Sequence, residues 1–417
     1  MSTPASPATA REPAGASPRT FAVVGGAGAM GRITVRDLVE TCASTDEIVI
    51  ADYDLDKATA LVASLQGAGR PRLRAVRVDV RDTDGAAAAL AGALVVVNAV
   101  QYQHNLAVME AALAAGAHYV DMGGLFHVTR TQLELDARFK AAGKVALLGM
   151  GAAPGITNLL ARHGAEQLDE VREIHCRVGG MDATRYRPQQ ALPVAYSLKT
   201  ILEEFSMEPA VFTKGEFAFV TPMSGALPHR FPPPVGLRRP MYTIHSEVAT
   251  LPLSYAARGV REVSFKIAFD PDFLQKVRFL RDLGLASHQP IDLTGTRVRP
   301  IDVVDRVAMS QPPARQVGPL KQYEVVRAIV KGTSQGKKVT WVVDLHTRGM
   351  PAWGIGLDID TGSPPAVAAQ MLAAGEITVT GAVPPEVAVP CAPFFERLKR
   401  RKMKVVATRK AGWGFAT

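Results

Sequence analysis

Gly26-Ala27-Gly28-Ala29-Met30-Gly31 spells a G-x-G-x-x-G loop, and an acidic residue, Asp52, follows 21 positions beyond Gly31. Glycine at these three places allows a tight turn at Gly26, close approach of the backbone to a pyrophosphate at Gly28, and helix-on-strand packing at Gly31. Ala29 and Met30 complete the loop at the start of a helix, whose orphan N–H groups and positive dipole end favour phosphate. A carboxylate at Asp52 accepts hydrogen bonds from ribose hydroxyls and repels a 2′-phosphate. Tyr53 and Asp54 come next, not an arginine, so the expected cofactor is NAD, with NADP less favoured.

Such a loop works only between a strand and a helix, and the flanking sequence supplies both. Apolar runs TFAVVG, EIVIAD, RLRAVRVDV, ALVVVNAV, AHYVDMGG and KVALLG alternate with stretches of helical spacing such as Ile33 to Cys42 and Asn105 to Ala115. The rhythm predicts an α/β fold, a Rossmann-type doubly wound parallel sheet of six strands over residues 20–150. Ligands of such sheets bind beyond the carboxyl ends of the strands. That rule brings Asp79 with Val80, Asn98 with Ala99 and Val100, and Asp121 with Gly123 into the expected cofactor crevice. Asp79 would contact the adenine amine or, equally, cap a helix.

After Gly151 the pattern changes. Pro154-Gly155 opens a helix expected to run from Ile156 to Leu168, and EIHCRV, TIHSEVATL, EVSFKIAF and YEVVRAIVKG read as strands. Val325 to Lys331 and Lys338 to Leu345 flank a glycine-containing turn as an antiparallel hairpin. Residues 151–362 are therefore expected to form an α+β substrate domain on an antiparallel or mixed sheet. Helical spacing returns in Pro365 to Ala374, with Gly375 as a C-cap. Residues 1–19, rich in Ala, Pro and Ser, read as a disordered tail.

Composition removes other classes. With 47% hydrophobic and 21% charged residues the chain is globular, not coiled coil or collagen. Three dispersed cysteines form no C-x-x-C pair, and the histidines show no H-x-x-x-H spacing, so no disulfide framework and no metal site is expected. No apolar stretch approaches the ~20 residues of a membrane helix. A reducing cytoplasm is the expected location. The net charge of +9 points weakly to an anionic ligand. The basic run Arg397, Lys399, Arg400, Arg401, Lys402 and Lys404 lacks interleaved aromatics, and reads as a solvated helix end, not a nucleic-acid surface.

The segments VVGGAGAMG, VDVRD, VVNAVQYQHN, YVDMGG and GMGAAPGITNLLARHGAEQLDEV, followed by RVGG, resemble the saccharopine dehydrogenase-like family of oxidoreductases. Within it they are most similar to the bacterial L-lysine 6-dehydrogenases. The likeness is dense from Phe21 to Gly180 and returns in QMLAAGEITVTGAVPPE. It implies nicotinamide-dependent hydride transfer at an amine-bearing carbon, here oxidative deamination of L-lysine at its 6-position to the semialdehyde or its piperideine carboxylate. It also implies that the second domain is inserted into the first, so that residues 363–417 return to the dinucleotide-binding domain, and that the chain is a homodimer through the second domain's sheet. Gly26, Gly28, Gly31, Asp52, Asp79, Asn98 and Ala99 match the family's cofactor motifs. The alternatives are a saccharopine- or carboxynorspermidine-type reductase using NADP, and a non-catalytic NAD sensor. Where the lysine enzymes carry a His-Thr-Ser-Gly-Gly type segment, His245 to Leu251 keeps the histidine and the hydroxyl but not the glycines.

Removing hydride from an amine requires the neutral amine, hence a proton acceptor that can later activate water. Asp121, at a strand end in the crevice, is one candidate; its other reading is a cap on the Gly123-Gly124 turn. His245 and Glu247, from the substrate domain, are the others, with a hydrogen-bonded structural pair as the alternative. His104 is read as cofactor-side lining or a surface residue, and His127 is equally open. A substrate carboxylate wants an arginine fork, for which Arg185, Arg230, Arg238 and Arg239 are available.

Overall fold

The computed structural model describes residues 17–192, 197–312 and 314–413. Residues 1–16 of the expected tail lie outside the described residues, and Ser17 to Arg19 form no regular element. The chain divides into two units, residues 1–162 with 349–405, and residues 163–348 with 406–417.

The first unit is built on six strands in chain order, β1 (Thr20–Val24), β2 (Glu47–Asp52), β3 (Arg72–Arg77), β4 (Val95–Asn98), β5 (His118–Asp121) and β6 (Val145–Leu147). A seventh, Gly381–Val383, pairs parallel with β6, and the order across the sheet is Gly381–Val383, β6, β5, β4, β1, β2, β3. Every registered pair in this sheet is parallel. Crossover helices cover both faces, so β4 is buried throughout and reads as a continuous apolar run, not an alternation. The order reverses between β1 and β4, the switch point beyond whose strand ends ligands of such sheets bind. The seventh strand, three residues long, is too short to show a period.

The first boundary falls at Arg162, beyond the expected residue 150, because helix Ile156–Ala165 is anchored in the first unit. Asn158 Nδ2 donates to Glu386 at 2.8 Å, and Arg162 donates to the Val389 carbonyl at 2.9 Å. The return to this unit comes at Gly349 instead of 363. The returning helix spans Ile359–Ala373, starting six residues before the expected Pro365, with Pro364 and Pro365 inside it. It lies against α1 (Gly31–Thr41): a Cβ on Gly362 would meet Ile33 at 2.5 Å, and Thr34 Oγ1 donates to the Gly362 carbonyl at 2.7 Å.

The basic run is not uniformly solvated. Arg401 is 2% exposed, and its guanidinium grips the fully buried Asp37 of α1 through bonds of 2.6 and 2.5 Å. Gln370 donates to Thr41 Oγ1 beside it at 2.6 Å. Arg397 pairs with Glu376 at 2.5 Å, whereas Lys399, Arg400 and Lys402 are exposed as expected.

The second unit carries a mixed sheet in the order Glu216–Phe219, Ala210–Thr213, Glu262–Ala268, Glu170–Asp182, Gln322–Ser334, Lys337–Thr347, Lys404–Ala411. Glu262–Ala268 runs parallel to Glu170–Asp182, and Gln322–Ser334 and Lys337–Thr347 form the expected antiparallel hairpin. The expectation that all of residues 363–417 return to the first unit needs correction. From Val406 the last strand belongs to the second unit, where Gly412 N donates to the Lys338 carbonyl at 2.9 Å and Trp413 Nε1 to the Gly332 carbonyl at 2.7 Å. TIHSEVATL is not a strand either: Glu247–Ser254 is a helix, with Val248, Ala249 and Leu251 buried. The spacing of Val248 and Leu251 is helical, and it outweighs the β-branched content. Among the described residues no helix is long and apolar enough to cross a membrane, and no group of metal-binding side chains is assembled.

Replacing Arg401 by Met leaves the Asp37 carboxylate buried without its cation, and is expected to cost about 3–5 kcal/mol. Urea unfolding monitored on the first unit should show the loss, and the double change Asp37→Leu with Arg401→Met should recover most of it. An unchanged midpoint in Arg401→Met would show that the pair does not hold the returning segment.

Candidate functional site

The glycine loop leaves β1 through Gly25, whose φ of +72° lies in the left-handed region. Gly25 N and Gly26 N both donate to the Ala51 carbonyl of β2, at 2.8 and 3.2 Å. A Cβ on Gly31 would sit 2.0 Å from the Gly25 carbonyl oxygen, and one on Gly26 would sit 2.8 Å from that of Val23. These two positions admit only glycine. Gly28 and Ala29 are exposed at the mouth of α1, and Met30 is its N-cap residue, which leaves the loop's backbone N–H groups at a helix N-terminus. Sequence reasoning missed Gly25; the signal was the doubled glycine in VVGGAG.

Asp52 closes the loop from the other side. Its Oδ2 accepts from Ala27 N at 2.9 Å and its Oδ1 from Asp54 N at 3.0 Å, so the carboxylate that would meet the ribose also shapes the phosphate loop. Asp79 is committed to Arg81, at 2.6 and 2.8 Å, and that guanidinium holds its carboxyl down at about 2. It is not a helix cap: Asp82 caps the following helix, accepting from Gly85 N at 3.0 Å. Val80 packs against the core of the unit. Between them lies an arrangement the sequence did not suggest. Tyr53 is 58% exposed, and the guanidinium carbons of Arg77 and Arg81 stand 5.4 and 5.6 Å from its ring centre. Arg77 pairs in register with Asp52 across β2 and β3, a neighbourhood invisible at a separation of 25 residues.

The ends of β4 and β5 are organised by two buried polar residues, Asn98 and Asp121. Asn98 Nδ2 donates to Asn105 Oδ1 at 2.9 Å and to the Tyr119 hydroxyl at 3.0 Å, while its Oδ1 accepts from Val100 N at 3.2 Å. Ala99 N donates to the Val24 carbonyl at 2.8 Å. Asp121 Oδ1 accepts from Gly149 N at 2.6 Å and Gly123 N at 2.9 Å. Its Oδ2 accepts from Gln132 Nε2 at 2.6 Å, the Tyr119 hydroxyl at 2.9 Å and Asn105 Nδ2 at 3.3 Å. Burial pushes the Asp121 carboxyl above its ordinary value, against the pull of these donors. This is the turn-capping arrangement, extended to three strand ends.

In the second unit His245 and Glu247 meet. His245 Nδ1 lies 2.7 Å from Glu247 Oε2, Glu247 is fully buried, and the imidazole stacks on Phe265 with centres 3.8 Å apart. Burial opposes the imidazolium, but the charges of Glu247 and Glu204 prevail, and the histidine is raised above its ordinary value. A carboxylate that fixes one ring nitrogen leaves the other able to act as a base. Of the four arginines proposed for a carboxylate, Arg185, Arg230 and Arg239 are exposed, and Arg238 donates to the Gly180 carbonyl at 3.3 Å. His127 is exposed, and His104 ends a single 3-10 turn.

Comparison with known proteins places this geometry. Residues 21–147 match the saccharopine dehydrogenase NADP-binding domain, and residues 151–403 match the saccharopine dehydrogenase C-terminal domain. Carboxynorspermidine synthase of Vibrio cholerae serotype O1 is 24% identical over 331 residues, covering 75% of this chain and 78% of that one. Carboxyaminopropylagmatine dehydrogenase of Synechocystis is 20% identical over 333 residues, covering 76% and 79%. Apo saccharopine dehydrogenase (L-Glu forming) from Saccharomyces cerevisiae shares the fold, with a TM-score of 0.67 at 16% identity over 94% of this chain and 100% of that one. The glycine loop, the doubly wound sheet and the two matched domains together establish that the chain belongs to the saccharopine dehydrogenase family of oxidoreductases.

Proposed function

We propose that the chain transfers hydride between a nicotinamide dinucleotide and the nitrogen-bearing carbon of a carboxylated amine, with His245 as the proton acceptor. The observation that carries this is the buried His245–Glu247 pair in a chain that also holds a complete dinucleotide loop. The likeness to a carboxynorspermidine synthase and a carboxyaminopropylagmatine dehydrogenase supports a carboxylated secondary amine as substrate. Deamination of L-lysine at the 6-position is the second reading, supported by the motifs between Phe21 and Gly180; the missing glycines after His245 weigh against it.

Bound nicotinamide would supply the hydride acceptor or donor. The protein's residues do the rest. Glu247 holds Nδ1–H of His245, leaving Nε2 to take the ammonium proton of the substrate and to return it in the reverse direction. For the cofactor, Asp52 supports NAD by repulsion of a 2′-phosphate, and Arg81 is already neutralised by Asp79. The match to an NADP-binding domain and the position of Arg77 favour NADP as a second cofactor. We take NAD as preferred.

His245→Asn should lower kcat by about 10²–10⁴-fold. Activity requires neutral His245, so kcat/KM should fall as the pH drops through its raised value. Because Glu247 raises that value, Glu247→Gln should move the acid limb to lower pH; an unmoved limb would show that the pair does not titrate in turnover. Cofactor titrations by fluorescence should show NAD bound more tightly than NADP, with Arg77→Ala weakening NADP alone. A stronger affinity for NADP would overturn the assignment from Asp52. Gly31→Ala should weaken both dinucleotides by on the order of tenfold or more, since its Cβ displaces the loop; unchanged affinity would place the cofactor elsewhere.

A further inference from the structure

Three cations stand side by side on one face of the second unit's sheet. Lys266 pairs in register with Arg177, Arg177 with Arg327, and Arg327 with Asp344, so the four side chains form one row across four strands. Successive strand residues face opposite ways, and Phe265, the neighbour of Lys266, carries the His245 ring on the other face. The row is therefore separate from the His245–Glu247 pair.

Its charges do not cancel. Arg327 binds Asp344 through two bonds of 2.7 and 2.8 Å, which occupies the row's one carboxylate. Among the described residues Arg177 donates only to neutral groups, the Cys176 carbonyl at 2.7 Å and the hydroxyl and carbonyl of Ser264 at 3.2 and 3.4 Å. Lys266, 8% exposed, donates to the Gly225 carbonyl at 2.5 Å and stands 4.1 Å from the centre of the Tyr242 ring. Glu173, farther along the same face, is taken by Lys331 at 2.9 Å and His175 at 3.0 Å. His229 lies 3.1 Å from Arg327 and supplies no positive or negative charge, because burial and then the neighbouring cations push it down to about 4. Two adjacent cations thus stand in a partly desolvated place with no counter-ion among the described residues. Burial brings Lys266 down to about 8 and Arg177 to about 10, which records the strain of that arrangement.

Buried charges are ordinarily paired, because desolvation costs several kcal/mol per ion. We propose that Arg177 and Lys266 form a binding site for an oxyanion, a carboxylate or a phosphate, on the face of the second sheet opposite His245. The guanidinium offers a planar fork for two oxygens and the ammonium a point charge for one of them. The aromatic ring of Tyr242 and the ring of Phe231, which packs on Gly179, flank the site and keep its dielectric low. The site stands apart from the proposed hydride transfer, and does not depend on which amine is the substrate.

The test is the thermal midpoint of the full chain, saturated with NAD so that the phosphate loop is filled, titrated with inorganic phosphate and separately with glutarate. Sodium chloride at matched ionic strength is the control. A saturable rise with phosphate names a phosphate ligand, and one with glutarate a carboxylate; either supports the site when it is weakened at least tenfold in Arg177→Met and in Lys266→Met but kept in Arg278→Met, an exposed arginine. If one variant does not fold, the other decides. No rise beyond that of chloride, or the same rise in both variants as in the unaltered chain, overturns the proposal.

Discussion

Asp121 ends β5 with its carboxylate buried, and five donors converge on it, Asn105, Tyr119, Gly123, Gln132 and Gly149. Gly149 ties the end of β6 to it, Gly123 ties the turn that follows β5, and Tyr119 carries the link on to Asn98 at the end of β4. A buried carboxylate is tolerable only when its lone pairs are satisfied, and each bond that satisfies them removes freedom from the segments around these strand ends. The same residue that looks like a base from its place in the sequence is spent on holding that end of the sheet rigid. That commitment is why the proposed proton acceptor is His245, whose Nδ1 is held by Glu247.

The buried charges of the two units answer one electrostatic question in different ways. Arg401 and Asp37 cancel each other and fasten the C-terminal segment to α1. Glu247 does not cancel His245; it makes the ring easier to protonate and orients it, which suits a group that must gain and lose a proton. Among the described residues Arg177 and Lys266 meet no carboxylate, and the proposed balance is an oxyanion from outside the chain. Asp52 is spent on backbone, its two oxygens accepting from Ala27 N of the glycine loop and from Asp54 N.

Much of the fold was legible because parallel strands covered on both faces give unbroken apolar runs, and because the glycine loop announces its strand, turn and helix together. Gly26, Gly28, Gly31 and Asp52 stand where the spacing implied. What escaped has physical reasons. A strand of three residues, Gly381–Val383, has no period to detect. In TIHSEVATL the β-branched residues outvoted a helical spacing that tertiary packing then enforced. Arg401 looked solvated within a run of like charges, because its partner Asp37 lies 364 residues away. Arg77 beside Asp52, and Arg177 beside Lys266, are cross-strand neighbours, and register across a sheet is not written in either strand alone.

The central claim is that hydride leaves or reaches a carbon bonded to nitrogen. Its most direct measurement is mass spectrometry of the reduced dinucleotide after incubating the protein with NAD and carboxylated secondary amines, or L-lysine, deuterated at that carbon. The account predicts reduced cofactor carrying deuterium with at least one of these amines, lost in His245→Asn. Reduced cofactor without deuterium, or tight dinucleotide binding with no reduction by any amine, would contradict it.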